Sequence, residues 1–284
     1  MPANSPGVNL GRERVAELEA KVARSKEVFA QAYARFPVGD LRVIWSGGKD
    51  STLALWICRE FCRERKLPLP VCFTIDEGDC FEEIDAFLHR YEREWGLRLD
   101  WGRNEDVLRA ANRTLMADVE VAGLSPRNQA EIRRIGMGDL ARFPFEAESY
   151  IGNHLMKTVV FNTYVEERGV RAVFQGLRWD EQAARTRDEY FDEVAAAELT
   201  PAHTRIRPIL HFSERDVWDA TLHFGIPFCP LYATGYRSLG AKTTSAKLSE
   251  IPAWEQDLAA SPERAGRRQD KEAAMDRLRK LGYM

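Results

Sequence analysis

Between an apolar run, Val43-Ile44-Trp45, and a helical pattern opening Thr52-Leu53-Ala54-Leu55-Trp56 lies Ser46-Gly47-Gly48-Lys49-Asp50-Ser51. The order predicts a strand, a tight turn and a helix. Such a turn aims free backbone N–H groups and the positive end of a helix at one point, which is an anion site. Gly47 and Gly48 allow the backbone to approach the anion without a Cβ in the way. Lys49 adds a full charge, and Ser46 and Ser51 add hydroxyl donors. A Walker A loop needs a glycine five residues before its Gly-Lys pair, and Val43 stands there instead. As part of a turn, Lys49 is expected to be exposed and replaceable without loss of fold.

Other groups could serve the same site. Asp76-Glu77-Gly78-Asp79 directly follows an apolar run at 71–75, and carboxylates at a strand end suit Mg²⁺ or ribose hydroxyls. Gly176-Leu177-Arg178 follows another run and leads to Arg185 and Arg187. Arginine grips phosphate or sulfate oxygens with two parallel donors, which makes Arg178 and Arg185 candidate anion ligands. A glycine-bounded loop, 232–240, presents Arg237 and Ser238, with Lys242 just beyond. Arg264 and Arg267 lie in a late basic stretch that alone reads as a charged helical surface. His154 could reach the site, whereas His89, His203, His211 and His223 read as satisfied polar residues.

The elements that must position these residues follow from periodicity. Residues 10–36 form an amphipathic helix. Strands at 41–45, 71–75, 97–101 and 172–175 alternate with helices at 51–65, 82–95 and about 153–168, and a run near 205–210 precedes a helix at 214–224. Alternation of this kind predicts an α/β fold, a parallel sheet with helices on both faces, with ligands beyond the carboxyl ends of the strands. The expected divisions are 1–36, an N-terminal helix; 37–232, the nucleotide domain; and 233–284, a C-terminal arm closing over the site. Residues 104–150 read as an excursion on the substrate side.

Composition narrows the class. A net charge of −3 over 284 residues gives no general attraction to nucleic acid, which leaves only a local patch. No run approaches a membrane span, and no secretory leader is evident, so a cytoplasmic enzyme is expected. Five cysteines without framework spacing and without C-x-x-C argue against disulfides, zinc and iron–sulfur clusters. Cys58 and Cys62 read as core; Cys80 alone stands at a strand end.

The motif Ser46–Ser51 resembles the pyrophosphate loop of the PP-loop ATP pyrophosphatases, which have a Rossmann-like, adenine nucleotide alpha hydrolase-like fold. Leu155-Met156-Lys157-Thr158, Gly176–Glu181, the segment 208–232 and Tyr236–Gly240 follow in the order found in PAPS reductases and the small subunit of ATP sulfurylase. The ending, 261–267 through Leu281-Gly282-Tyr283, is similar to that of the sulfurylase subunit. The stretch 227–232 with 235–240 is also similar to eukaryotic FMN adenylyltransferases. No cysteine follows Cys229, so the nucleophilic arm cysteine of the reductases is missing. Ala241 stands where relatives usually carry cysteine, and Asp76-Glu77-Gly78 replaces Asp-Thr-Gly.

What the resemblance implies is ATP and Mg²⁺ as cofactors and transfer of AMP, with pyrophosphate leaving, to a small anionic substrate, best sulfate. Ser46, Gly47, Gly48, Lys49 and Ser51 would hold pyrophosphate. Asp50 and Asp76 would serve Mg²⁺ or loop geometry, with Gly176 beside the nucleotide. Lys49, Arg178 and Asp50 form the catalytic set; Arg178, Arg185, Arg237, Ser238, Lys242, Arg264 and Arg267 would face the α-phosphate and acceptor. A GTPase would drive sulfate activation, and a homo-oligomer is compatible. Alternatives are adenylation of a nucleobase or tRNA for sulfur insertion with a sulfur-donor protein, an FMN adenylyltransferase-like reaction, and a non-catalytic nucleotide sensor.

Overall fold

The computed structural model describes residues 9–182 and 185–267. Arg268 and the Leu281-Gly282-Tyr283 ending lie outside the described residues.

Five parallel strands form the sheet: β1 (Leu41–Ile44), β2 (Val71–Ile75), β3 (Leu99–Gly102), β6 (Ala172–Phe174) and β8 (His203–Ile206). A sixth, β7 (Phe191–Val194), runs antiparallel to β8 at one edge, giving the order β3-β2-β1-β6-β8-β7. The antiparallel edge departs from the all-parallel expectation. Val71–Ile75 and the helix α3 (Glu82–Trp95) match the sequence reading to the residue, whereas β3 begins two residues later than expected. The chain moves outward from β1 to β2 and β3, then returns to β6 on the other side of β1. That reversal leaves a crevice beyond the carboxyl ends of β1 and β6, where open α/β sheets bind ligands.

The first helix, α1 (Arg12–Arg35), turns Leu18, Val22, Val28, Phe29 and Ala32 inward. They share one core with α2 (Lys49–Arg65), α3 and α8 (Glu214–His223). Cys58 and Cys62 are in that core. Residues past 232 add Ala253 to it, with Trp254 and Leu258 packed alongside.

The excursion at 104–150 is a unit with its own apolar centre. Helices α4 (Glu105–Ala110) and α5 (Pro126–Arg134) flank a two-stranded sheet, β4 (Asp118–Glu120) with β5 (Arg142–Pro144). Val107, Val119, Ile132 and Phe143 cluster with Leu155 and Met156 of the following helix. That helix comprises α6 (Tyr150–Asn153), a π-helical turn (His154–Val159) and α7 (Val160–Arg168). His154 does not reach the crevice. It is fully buried, with Nε2 at 2.9 Å from Glu131 of α5.

Candidate nucleotide site

The turn after β1 is the one expected to cradle an anion. Gly47 has φ +75°, a conformation that favours glycine, and a Cβ there would come within 3.0 Å of Ile84. Gly48 is the N-cap of α2, so the helix starts at Lys49. Ser51 Oγ donates to the Gly48 carbonyl at 3.0 Å and lies 3.2 Å from Ser46 Oγ, tying the turn across its base. The backbone N–H of Lys49 donates to the Tyr232 hydroxyl at 3.1 Å.

On the other side of the crevice, the loop leaving β6 presses against this helix start. A Cβ on Gly176 would lie 2.6 Å from Ser51 Cα and Ser51 N. Only a glycine permits that approach, and it brings Arg178 to Asp50. The Arg178 guanidinium is fully buried; it binds Asp50 through Nη1, Glu263 through Nη2 and Asp180 through Nε at 2.9 Å. After Arg178 the chain makes a short 3₁₀ turn, Trp179–Glu181.

Lys49 is buried, with a relative exposure of 2%, which corrects the expectation of an exposed turn residue. Its ammonium meets Asp50 at 3.1 Å and Glu263. Burial alone would lower the Lys49 pKa, but the Asp50 and Glu263 charges outweigh it and raise it. Burial likewise opposes ionisation of Glu263, yet Lys49 and Arg178 hold its carboxyl down at about 2. Two buried cations therefore share two carboxylates, one from α2 and one from the distant arm.

A cavity of about 290 Å³ opens beside the cradle. Ile44, Ile75, Ile84, Leu88 and Trp101 make part of its wall apolar, and Ser46, Gly48, Lys49, Asp50 and Ser51 line it too. Gly176, Arg185, Ser238, Arg264 and Arg267 also reach it, with Glu77, Asp79, Lys157, Glu181 and Tyr232. Arg185 is 5% exposed, and its Nε and Nη1 make no hydrogen bond; Nε stands 3.5 Å from Glu181. Arg264 pairs with the same glutamate at 3.3 Å. Lys157 lies between Glu77 at 2.8 Å and Glu148 at 2.9 Å, and Arg267 binds Glu148 at 3.0 Å.

Five candidates do not line the cavity: Gly47, the buried Arg178, Asp76, Arg237 and Lys242. Asp76 turns aside, accepting from Gly78 N at 2.9 Å and Arg103 Nε at 2.7 Å. Arg237 is buried as an anchor: it grips Glu214 at 2.7 Å and donates to the Ser261 and Leu258 carbonyls. Lys242 is exposed and pairs with Glu82 at 2.8 Å. Asp79 also does structural work, accepting from the backbone and hydroxyl of Thr243. Sequence reasoning missed Tyr232, Lys157 and Glu263 as parts of the site, and in the turn at 76–79 it chose Asp76 where Glu77 lines the cavity. Lys157 stood in a quoted motif, and Glu263 adjoins Arg264, so each carried a local signal.

For Mg²⁺, the described residues hold no group of three or more His, Cys, Asp or Glu arranged to bind a metal. Asp50 and Glu77 line the cavity but are already in ion pairs. This donor set suits a cation arriving with phosphate oxygens, which is how Mg²⁺ is usually held.

The phosphoadenosine phosphosulfate reductase domain matches residues 40–247, and the chain belongs to that family, a branch of the PP-loop proteins. Sulfate adenylyltransferase subunit 2 of Rhodopseudomonas palustris (strain BisB18) is 26% identical over 246 residues, covering 79% of this chain and 64% of the relative. The corresponding subunit of Rhizobium sp. (strain BR816) is 26% identical over 248 residues, covering 78% and 70%. The chain thus spans 64% and 59% of the lengths of two such subunits, from R. palustris BisB18 and Chelativorans sp. (strain BNC1). Among solved structures, Candida glabrata FMN adenylyltransferase with FMN and AMPCPP superposes with TM-score 0.60 at 17% identity, covering 98% of this chain and 86% of that one. Phosphoadenylyl-sulfate reductase of Candida auris gives 0.54 at 17% identity, covering 84% and 100%. These two likenesses support the α/β fold. No helix among the described residues is long and apolar enough to cross a membrane.

Proposed function

We propose that this chain transfers AMP from Mg-ATP to a small oxyanion, with sulfate the favoured acceptor, and releases pyrophosphate. The observation that carries the reading is one cavity with two cationic groups: the Lys49 cradle at the start of α2, and Lys157, Arg185, Arg264 and Arg267 beside it. The apolar wall of Ile44, Ile75, Ile84, Leu88 and Trp101 suits an adenine ring. Lys49 and the amides of the turn then take the outer two phosphates. Arg178 and Arg185 serve the α-phosphate and the acceptor. An acceptor oxygen attacks the α-phosphorus as the bond to the β-bridging oxygen breaks, and the electron pair leaves with pyrophosphate. Sulfate brings a lone pair already, so no general base is required.

Mg²⁺ bound to the triphosphate would neutralise charge as pyrophosphate departs, with Asp50 and Glu77 the carboxylates nearest to hand. Catalysis in this scheme is positional and electrostatic, since two anions must be held together. The sulfurylase relatives carry the designation subunit 2, which supports a partner protein; a GTP-hydrolysing partner fits the uphill direction of sulfate activation.

The test uses ATP labelled at the α- or γ-phosphate, with sulfate, selenate, molybdate, FMN or tRNA as acceptor. Pyrophosphate release stimulated by the oxyanions is the expected result. Release only with FMN or tRNA reassigns the acceptor. Production of ADP and orthophosphate would sink the reading altogether.

A further inference from the structure

The Glu263 carboxylate occupies the position of a ligand. Its two oxygens are divided between the Lys49 ammonium and the Arg178 guanidinium. A phosphate between those cations would use the same donors in the same charge-assisted way. Arg178 is fully buried behind Asp50 and Glu263 and is absent from the cavity wall. Phosphate can reach it only if one of those two carboxylates withdraws.

Asp50 cannot withdraw far, because it sits in the first turn of α2. Glu263 belongs to a separate segment, 214 residues from Lys49 in the chain. That segment is pinned at both ends. Arg237 holds the Leu258 and Ser261 carbonyls, and Ala246 N donates to the Gly266 carbonyl at 2.8 Å. Anchors on either side with an acid between them describe a strap that sets Glu263 against the two cradle cations, while Arg264 and Arg267 of the same segment face the cavity and pair with Glu181 and Glu148.

We propose that Glu263 is a resident counter-anion that the nucleotide's phosphates displace, so that the strap carrying it gates entry to the cradle. This rests on the nucleotide reading above. Without a ligand, Asp50 and Glu263 are the two carboxylates shared by both buried cations, while Asp180 reaches Arg178 alone. When phosphate arrives, Asp50 keeps its contacts with both cations and Glu263 is the group exchanged. The competing role is a permanent brace that aims Lys49 and Arg178 at the phosphates. Gate and brace predict opposite signs: loss of the charge strengthens binding in one case and weakens it in the other.

The experiment titrates the full chain with Mg-AMPCPP by calorimetry, comparing wild type with Glu263→Gln, Glu263→Asp and Lys49→Met. A gate predicts at least tenfold tighter binding for Glu263→Gln. Glu263→Asp, too short to span both cations, gains a smaller factor and carries the test if the Gln variant fails to fold. Equal or weaker binding in the folded variants overturns the gate while leaving the nucleotide site standing. Absence of wild-type binding, or binding indifferent to Lys49→Met, overturns the nucleotide reading and the gate with it.

Discussion

Replacing Gly176 by alanine adds one methyl group at the point where the β6 loop meets the helix start. That methyl would lie 2.6 Å from Ser51 Cα and Ser51 N and 2.7 Å from the Asp50 carbonyl carbon. All three are backbone atoms, so no side chain can rotate away. Ordinary contact begins near 3.4 Å, and the two segments must separate by roughly 0.8 Å. Overpacking of this kind costs about 1–3 kcal/mol, which for a chain this size lowers Tm by about 2–10 °C. The functional effect should be larger than the loss of stability. Arg178 and Asp50 sit on the two sides of the contact, and a displacement near 1 Å at a polar site can reduce rate about a hundredfold. The assays are a denaturant melt and Mg-AMPCPP affinity, with Gly123→Ala as control, since nothing lies within 4 Å of its added carbon. A Gly176→Ala protein with wild-type stability and affinity would refute the idea that this close approach assembles the site.

Two further outcomes depend on titration. Burial pushes the His203 pKa down to about 4, although its Nδ1 donates to the Pro201 carbonyl at 2.9 Å. The folded protein thus resists protonation that the unfolded chain accepts near 6.5, and stability falls as pH drops from that value toward 4. Between pH 7.5 and 5 the loss attributable to this residue is about 2 kcal/mol. Urea melts of wild type and His203→Gln should converge at low pH, and parallel pH slopes would show that His203 is not responsible. Burial, with Asp76 and Glu77 nearby, pushes the Cys80 thiol up to about 12. Its thiolate fraction at pH 8 is then about a thousandfold lower than for a thiol of pKa 9, and greater nucleophilicity recovers about thirtyfold. Cys80 is exposed, so screening trims the shift further. Iodoacetamide labelling about tenfold slower than for a free cysteine is expected, and labelling at or above the free rate contradicts it.

The alternation of strands and helices was legible because α/β patterns are local and repetitive. Strand β7 was not: Phe191-Asp192-Glu193-Val194 carries two acids, and it exists because a partner strand and Arg207 receive it, Asp192 pairing with that arginine at 2.7 Å. The excursion at 104–150 was opaque for a related reason. Its charged helix hides Glu131, which is fully buried only because His154, Arg127 and Arg134 converge on it from outside its own stretch and from neighbouring turns. The cradle at Ser46–Ser51 could be read directly, since adjacent residues build it. Its occupant could not, because Glu263 meets Lys49 through contacts between residues 214 apart. A partner outside its own loop likewise explains Arg237, whose loop suggested an anion ligand. Its actual partner is Glu214, 23 residues away and equally buried.

The walls of the cavity carry Lys49, Lys157, Arg185, Arg264 and Arg267, but also Asp50, Glu77, Asp79, Glu181 and Glu263. With a chain charge of −3, the cavity lacks the broad positive field that draws in any anion. Unpaired buried cations would be strongly destabilising, and the carboxylates remove that burden before a ligand arrives. They also set a condition on entry. An incoming anion gains only the difference between its own contacts and those it displaces, so a single phosphate replacing one carboxylate gains little. Under the proposed function, a triphosphate would touch the cradle and the neighbouring arginines together, and its contacts would exceed those of the one carboxylate it displaces. If the site binds as proposed, selection for the longer polyanion would follow from the pairing itself, without a side chain devoted to rejecting AMP.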